Sequence, residues 1–261
     1  MDQDEAGKKA EDSAGFGQWL VESEASPAYR EFCRRVYGTG FVQFNMAGVD
    51  QLEALAAALA GASRVVDLGC GIGSQAEFVA ERTGAFVLGV DFAAAAIERA
   101  RNRTAARRDR VDFRVADLDA LDLPPASFDA AMALDTLYFV RSLPATIRAV
   151  TEALTPGGRL VALFTQKRRD GDPESILEPG GTSLAAALDA AGFCYATTDF
   201  TAAERRVWEA SLTESEALKD GYEAEGHEDY RRSQVEEARR NLDFHEAGRM
   251  RRYLYAARAR I

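Results

Sequence analysis

The segment at residues 64–74 constrains the fold of this chain more than any other stretch. It reads RVVDLGCGIGS, a short apolar run, an acid, and three glycines at alternate positions. An amphipathic helix is predicted at residues 75–82, and Gly84 is placed to end it. Because glycine has no Cβ, such a turn lets the backbone approach a ligand closely, and the following helix N-terminus adds free N–H groups. The segment therefore predicts a strand–turn–helix unit that accepts part of a nucleoside-bearing cofactor.

Two further acids stand where a doubly wound sheet would use them. The apolar run at residues 85–90 ends at Asp91, and a third strand predicted at residues 111–116 ends at Asp117. An acid roughly twenty residues after the glycine turn lies at the tip of the second strand, where it binds ribose hydroxyls. Three successive strands that each close on an acid indicate a cofactor site more specifically than a glycine motif alone.

These residues resemble the first motif of the class I S-adenosylmethionine-dependent methyltransferases, which corresponds to residues 66–73, VDLGCGIG. The acid before the first glycine and the alternate spacing differ from the usual nicotinamide pattern, in which the third glycine comes one residue later. The resemblance covers residues 51–200 and returns in the last predicted strand. A Pro-Gly-Gly turn at residues 156–158 adds to it.

The resemblance and the strand pattern together predict an α/β fold. We expect a Rossmann-like, doubly wound seven-stranded sheet, mostly parallel, with an antiparallel last strand at residues 251–257. Residues 1–15 are expected to form a disordered tail and residues 16–50 an N-terminal helical lid. The Rossmann-like domain would cover residues 51–261, with a helical cap insertion at about 202–247. The insertion either covers an acceptor site or is a plain surface addition.

The resemblance implies S-adenosyl-L-methionine as the cofactor. The residues that it assigns to the cofactor lie at the ends of the first four strands: Asp67, Gly69, Cys70, Gly71, Gly73, Asp91, Phe92, Asp117, Leu118 and Leu134. The first and the last of these would sit close to the sulfonium, and the glycine turn would lie against the methionine part. Asp91 would bind the ribose diol and Phe92 would pack on the adenine. The adenine edge would bond to Asp117 and to the Leu118 N–H.

The aromatic patch at residues 41–46, FVQFNM, shows no clear periodicity. It either caps the edge of the sheet or forms a lid whose aromatic and amide groups face the cofactor and acceptor, as N-terminal lids of family members do. On the second interpretation Tyr37, Gln43 and Phe44 are candidate contacts, and we assign Tyr37 and Gln43 to the cofactor site.

Three residues are candidates for catalysis. Asp135 and Tyr138 follow the fourth predicted strand, where family members place acceptor-facing residues and where open sheets bind ligands. His227 lies in the sequence EGHE, which breaks the helical pattern of the insertion, and an imidazole suits a general base near neutral pH. His245 is the other histidine of the chain. Alternatively, each of these side chains has a structural role or is simply exposed to solvent, and takes no part in catalysis.

Composition excludes several classes of function. The net charge of −10 and the isoelectric point of about 4.9 argue against nucleic-acid binding, which needs a clustered basic surface. The three cysteines are far apart, which suits a reducing cytosol, and no histidine–carboxylate cluster has metal-ligand spacing. No apolar run is long enough for a membrane span, and the start is too polar for a signal peptide. We therefore expect a cytoplasmic enzyme, a monomer or a homodimer, with no metal.

The predicted reaction is in-line displacement, in which a small, partly apolar acceptor, such as a secondary metabolite, attacks the methyl group of S-adenosylmethionine. Three alternatives remain open: an enzyme of the same fold that binds this cofactor but catalyses another reaction such as a cyclisation, a nicotinamide oxidoreductase, and a non-catalytic scaffold.

Overall fold

Seven apolar runs of the sequence form the strands of one mixed sheet. The computed structural model describes the backbone of residues 3–260 and the side chains of residues 14–260. The strands are β1 Arg64–Leu68, β2 Phe86–Asp91, β3 Val111–Val115, β4 Phe128–Leu134, β5 Leu154–Lys167, β6 Phe193–Asp199 and β7 Met250–Ala259. Their order in the sheet is β3-β2-β1-β4-β5-β7-β6.

The strand directions confirm the predicted doubly wound fold. Strands β1 to β5 run parallel to one another, and β7 lies between β5 and β6 and is antiparallel to both. The order of the strands reverses between β1 and β4, because the chain winds outward from β1 on one side and from β4 on the other. In open α/β sheets the crevice at the carboxyl ends of the strands around such a reversal is where ligands bind.

Helices cover both faces of the sheet. In the part of the chain that the structure describes they are α1 Gln3–Ala25, α2 Pro27–Val36, α3 Val49–Ala58, α4 Ser74–Thr83, α5 Ala94–Arg103, α6 Leu143–Ala153, α7 Ser183–Ala190, α8 Thr201–Ala217, α9 Lys219–Ala224 and α10 Glu228–Glu246. Apolar residues of α3, α4 and α5 pack on one face of the sheet, and those of α6 and α7 pack on the other. No helix in residues 3–260 combines the length and the apolar character that a membrane span needs.

The N-terminal helices and the helices between β6 and β7 share a third apolar cluster. Phe32 of α2 packs there with Val207 of α8 and Tyr222 of α9, together with Ile72 from the turn after β1. The lid and the insertion are therefore one layer above the carboxyl ends of the strands. The first helix begins at Gln3, so residues 3–15 are helical where the sequence predicts a disordered tail; residues 1 and 2 lie outside the described residues.

Helix α4 begins and ends at glycines with left-handed backbone. Gly73 (φ 81°) precedes the helix and Gly84 (φ 77°) follows it, with the Gly84 N–H donating to the Ala80 carbonyl. The two glycines differ in their surroundings. A Cβ at Gly73 would collide with the ring of Phe113, whereas a Cβ at Gly84 would meet nothing within 4 Å. Gly73 is thus required by both its conformation and the packing beneath it.

We predict that Gly73→Ala lowers the free energy of unfolding by about 2–4 kcal/mol, because the left-handed backbone and the collision with Phe113 both penalise a methyl group. The matched variant Gly84→Ala carries only the backbone penalty, about 1 kcal/mol. Urea unfolding followed by circular dichroism measures both. Equal losses for the two variants would contradict the packing role of Gly73.

Candidate functional site

A cavity of about 570 Å³ lies at the carboxyl ends of β1 to β4, beneath the lid. Its wall, called the cavity wall below, combines strand ends, lid residues and the loop after β4: Phe16, Trp19, Leu20, Phe44, Asn45, Gly69, Cys70, Gly71, Ile72, Gln75, Asp91, Phe92, Ala116, Asp117, Leu118, Asp119, Leu134, Asp135, Thr136, Phe139 and Val140. A volume of this size holds a drug-sized ligand. The cavity occupies the crevice that the reversal of strand order creates.

The glycine turn, residues Gly69–Gly73, forms the floor of the cavity. The N–H groups of Gly69 and Cys70 both donate to the Val90 carbonyl, at 2.8 and 3.0 Å, which fixes the turn to β2. Gly69 has a φ of 76°, and a Cβ there would lie 2.5 Å from Thr136 Cγ2. At Gly71, with a φ of 52°, a Cβ would meet nothing closer than a lid side chain at 3.9 Å. Gly71 therefore presents bare backbone to the cavity.

Asp91 joins the end of β2 to the glycine turn. One carboxylate oxygen accepts from the Gly71 N–H at 2.8 Å, and the other accepts from the Ala93 N–H at 2.9 Å. Burial raises the pKa of Asp91, and the hydrogen bonds from these N–H groups partly offset the rise. The side chain is thus held at the edge of the cavity, as a residue that binds ribose hydroxyls would have to be.

Asp67, at the buried core of β1, is a carboxyl group that lacks a complete set of partners. Its Oδ2 is buried and has no hydrogen-bond partner among the described residues. Burial, followed by repulsion from Asp91, raises the pKa of Asp67 to about 8. A buried acceptor left without a donor is costly, so a cationic ligand or a hydrogen-bond donor near it would be stabilised. Asp67 and Gly73 are both absent from the cavity wall, so their contact with a cofactor stays a prediction.

A row of aromatic rings runs along the cavity. Phe92, after β2, stacks on Phe16 of α1 with centroids 5.6 Å apart and an interplanar angle of 12°. Phe16 stacks in turn on Trp19, and Trp19 packs against Phe44 at 5.0 Å. The lid therefore supplies three rings that continue the strip begun by Phe92. The sequence predicted Phe92 at the site, and Phe44 on one of two interpretations of the aromatic patch, but neither Phe16 nor Trp19.

Asp117 and Leu118 lie in the cavity wall at the end of β3. The Asp117 carboxylate accepts from the Asp119 N–H at 3.0 Å and so caps a single helical turn. This turn brings Asp119, which sequence reasoning missed, into the wall as well. Leu134 lies in the wall at the end of β4. Contact of these residues with a cofactor stays a prediction.

The structure moves two lid candidates away from the cavity. Tyr37 and Gln43 are buried inside the lid and are absent from the cavity wall. The Tyr37 hydroxyl lies 3.7 Å from Met46 Sδ, and the Gln43 amide donates to the Ala47 carbonyl at 2.7 Å. The assignment of Tyr37 and Gln43 to the cofactor site is therefore corrected: they shape the loop. Their neighbours Phe44 and Asn45 line the cavity instead.

The three catalytic candidates are not brought together at the cavity. Asp135 lies in the wall, but Arg252 of β7 holds its carboxylate with two hydrogen bonds, at 2.7 and 2.8 Å. The Tyr138 hydroxyl donates to Asp135 at 2.7 Å and accepts from the Thr165 N–H at 2.6 Å. Tyr138 is absent from the wall, where Phe139 lies instead. A role for the Tyr138 hydroxyl in touching an acceptor finds no support in this geometry.

His227 precedes α10 on the outer side of the insertion. Its side chain is one-third exposed and its Nδ1 lies 3.8 Å from the Glu225 carboxylate. It does not line the cavity, which corrects its placement as a base facing the acceptor. His245 is buried with its Nε2 3.5 Å from Glu204, also outside the cavity wall. Among residues 14–260 no group of three or more histidine, cysteine, aspartate or glutamate side chains is arranged to hold a metal ion.

Comparisons with known proteins agree with this geometry. Residues 65–158 match a family model described as a methyltransferase domain. The chain is 30% identical over 217 residues to a phosphoethanolamine N-methyltransferase of Triticum aestivum, an alignment that covers 75% of this chain and 41% of the relative. The chain spans less than half the length of the phosphoethanolamine N-methyltransferases it matches.

Two solved structures share the fold over most of the chain. Phosphoethanolamine N-methyltransferase 2 of Haemonchus contortus, in complex with phosphomonomethylethanolamine and S-adenosylhomocysteine, has a TM-score of 0.73 at 20% identity, and the alignment covers 89% of this chain and 60% of that one. The [4+2]-cyclase SpnF has a TM-score of 0.66 at 25% identity, with 81% and 80% of the two chains covered. The chain carries a class I S-adenosylmethionine-dependent methyltransferase domain. S-Adenosylmethionine is the cofactor of this enzyme domain, as the glycine turn and the strand-end acids of the methyltransferase domain predict.

We predict that S-adenosylmethionine affinity falls as the pH drops below about 8, by up to tenfold per pH unit, because Asp67 must then release a proton when a cation binds beside it. Calorimetric titrations at about pH 6 and about pH 9, in buffers of different ionisation enthalpy, measure the affinity and the proton release. In Asp67→Asn the affinity should be weaker and this pH dependence absent. A wild-type affinity that is constant across this range would contradict the assignment.

Proposed function

We propose that this methyltransferase domain moves a methyl group from S-adenosylmethionine to a small, partly apolar acceptor. The observation that carries the proposal is the mixed composition of the cavity wall. Carboxylates and bare glycine backbone at the ends of β1 to β3 share the wall with lid rings and with Phe139 and Val140 of the loop after β4. The polar groups suit a cofactor, and the apolar surface suits a partly apolar acceptor.

The chain's own residues fit the cofactor. Gly71 offers bare backbone and Asp91 offers a fixed carboxylate. The Asp67 carboxyl lacks a hydrogen-bond donor, and a cationic group nearby would compensate for that lack. When bound, S-adenosylmethionine supplies a methyl group that is already activated by the positive charge on sulfur. Phe92 and Phe16 present aromatic surface beside these acids. The residues around the cofactor therefore need to bind and orient S-adenosylmethionine, and they do not need to polarise its methyl group.

The lid contributes exclusion of water and orientation. Trp19 and Phe44 pack against each other and line the cavity. Aromatic faces also stabilise positive charge, which S-adenosylmethionine carries on its sulfur before methyl transfer. Holding reacting groups in line lowers a barrier by roughly 7–11 kcal/mol in well-oriented intramolecular reactions. Catalysis in this site is accordingly expected to come mainly from positioning.

The cavity wall offers few groups that can take a proton. No described residue of the wall is a histidine, lysine or arginine. Both oxygens of Asp135 are occupied by Arg252, and burial raises the pKa of the Cys70 thiol well above its ordinary value. The other aspartates of the wall, Asp91, Asp117 and Asp119, lie at or just after the ends of β2 and β3, the strands assigned to the cofactor. We therefore infer an acceptor atom that attacks without prior removal of a proton by a strong base.

The same wall argues against a phosphorylated acceptor. Phosphate groups in proteins are held by arginine, lysine and backbone N–H donors, and the described wall has no cationic side chain while four of its residues are aspartates. The relative from Triticum aestivum is named for phosphoethanolamine, but that name belongs to a protein of which this chain spans 41%. We propose that this chain acts on an acceptor without a phosphate group.

Cyclisation of one apolar substrate is the second candidate function. It is favoured by the likeness to the [4+2]-cyclase SpnF and by a cavity wall without histidine or lysine among its described residues. Closing a ring inside a shaped apolar cavity needs orientation of the substrate and no base. In that reaction the methyl group of S-adenosylmethionine would not be consumed.

We predict that the purified chain forms S-adenosylhomocysteine from S-adenosylmethionine with apolar amines and not with phosphoethanolamine. A panel of matched pairs, each with and without a phosphate, measures kcat/KM, which should favour the unphosphorylated member by at least about tenfold, the effect of one uncompensated buried charge. Turnover of phosphoethanolamine at comparable kcat/KM would overturn the acceptor class. Substrate rearrangement without S-adenosylhomocysteine would favour the cyclase.

We predict that Asp91→Asn raises the Kd of S-adenosylmethionine by about 10–100-fold, because hydrogen bonds to a charged group are worth about 1.5–3 kcal/mol. The matched control is Asp109→Asn, an exposed acid before β3, which should leave the Kd unchanged. Calorimetry with both variants provides the measurement. An unchanged Kd in Asp91→Asn would show that the cofactor binds elsewhere.

A further inference from the structure

Arg252 is the largest fully buried side chain of the sheet, and it lies behind the cavity wall. It sits on β7 opposite Thr165 of β5. Its Nε donates to Gln51 Oε1 at 2.6 Å, and Nη1 donates to Thr165 Oγ1 at 3.0 Å. Nη1 and Nη2 also each donate one hydrogen bond to Asp135. A buried guanidinium satisfied in this way holds a single orientation, because its planar fork matches a carboxylate.

Asp135 has a full set of donors. Arg252 Nη1 and the Tyr138 hydroxyl donate to Oδ1, both at 2.7 Å, and Arg252 Nη2 and the Met46 N–H donate to Oδ2 at 2.8 and 2.9 Å. An ionised carboxylate has about four acceptor sites, so each is used. Burial alone would raise the pKa of Asp135, but attraction to Arg252 and its hydrogen bonds outweigh burial and lower that pKa. Asp135 is therefore an anchor for other groups.

The donors on Asp135 come from both sides of the cavity. Met46 directly follows Phe44 and Asn45, the lid residues of the cavity wall, and Tyr138 directly precedes Phe139, a wall residue after β4. Asp135 itself has a left-handed backbone with a φ of 56°, a conformation that costs a residue with a Cβ of order 1 kcal/mol or more and persists only where its surroundings hold it. One carboxylate thus fixes two segments that line the cavity.

The helical insertion also contacts the buried cluster formed by Asp135, Arg252 and Thr165. Glu204 of α8 lies 3.6 Å from Arg252 Nη1 and accepts from the Thr165 hydroxyl at 2.7 Å. Its other oxygen, Oε2, lies 3.5 Å from His245 of α10. The cluster therefore links β4, β5, β7, the lid loop and the helical insertion through buried charges.

We propose that Arg252 is a positioning residue for the acceptor side of the cavity. It holds Asp135 so that the Met46 N–H and the Tyr138 hydroxyl fix the lid segment at residues 44–46 and the loop at residues 136–140. The description of this side of the cavity as the acceptor side rests on the proposed function. The link from Arg252 through Asp135 to the two segments does not depend on that function. The hydrogen bonds of Arg252 go to Gln51, Thr165 and Asp135, and none of these residues belongs to β1, β2 or β3.

The test compares Arg252→Lys with Arg251→Lys. Lysine keeps the charge of Arg252 but cannot form the paired hydrogen bonds to Asp135. Arg251 is the matched control, since it is the neighbouring residue of β7 and its Nη1 donates to the Met250 carbonyl and not to Asp135. Amide hydrogen exchange followed by mass spectrometry, with and without S-adenosylhomocysteine, reports on both segments. Peptides from β1 to β3 serve as an internal reference for overall stability.

We expect Arg252→Lys to speed exchange at Met46 and in residues 136–140 by about tenfold or more, with the reference peptides unchanged. The Kd of S-adenosylhomocysteine should stay within about threefold. With any acceptor that the panel yields, the acceptor KM should rise while the S-adenosylmethionine KM does not. Arg251→Lys should match the wild type in each measurement.

Unchanged exchange at Met46 in folded Arg252→Lys would overturn the proposal. If Arg252→Lys does not fold, Tyr138→Phe removes a single donor from Asp135 and must speed exchange in residues 136–140; wild-type exchange there would equally overturn it. Failure of the wild-type protein to bind S-adenosylhomocysteine would refute the proposed function and leave the exchange result standing.

Discussion

The cavity depends on a backbone that turns back on itself within five residues between β1 and α4. Gly69, Gly71 and Gly73 all have positive φ, and two of them leave no room for a side chain against Thr136 or Phe113. This bend brings the N-terminus of α4 close to the end of β1. Asp91 of the neighbouring strand β2 stabilises the bend by accepting a hydrogen bond from the Gly71 N–H. Without it the strand-end acids would face solvent and no enclosed volume would form.

Much of the fold could be predicted from the sequence because the signals are local. Alternating apolar residues and glycines report on backbone periodicity and on left-handed positions, and these fixed the strands, the turn and the end of α4 at Gly84. The antiparallel last strand followed from the family resemblance and lies between β5 and β6. The helical start at Gln3 was missed, since a polar, alanine-rich segment reads as tail or as helix equally well.

The acceptor side of the site was harder to predict because its side chains are oriented by distant contacts. In the lid loop, Gln43 turns inward to bond the Ala47 carbonyl while Phe44 turns to the cavity, and no spacing rule distinguishes the two. Tyr138 was predicted to face the acceptor, yet its hydroxyl accepts a hydrogen bond from the backbone of β5 and the neighbouring Phe139 lines the cavity. Phe16 and Trp19 were not predicted at the site, since nothing local in the sequence indicates which surface their rings cover.

The pairing of Asp135 with Arg252 spans 117 residues of sequence, and this distance matters during synthesis. A nascent chain that has left the ribosome only as far as β5 contains the glycine turn and every strand of the cofactor half. It lacks the guanidinium that neutralises Asp135, and β5 still exposes the edge that β7 later covers. The cluster around Asp135 can therefore form only after β7 has been made, and until then the unpaired edge of β5 is open to pairing with another strand.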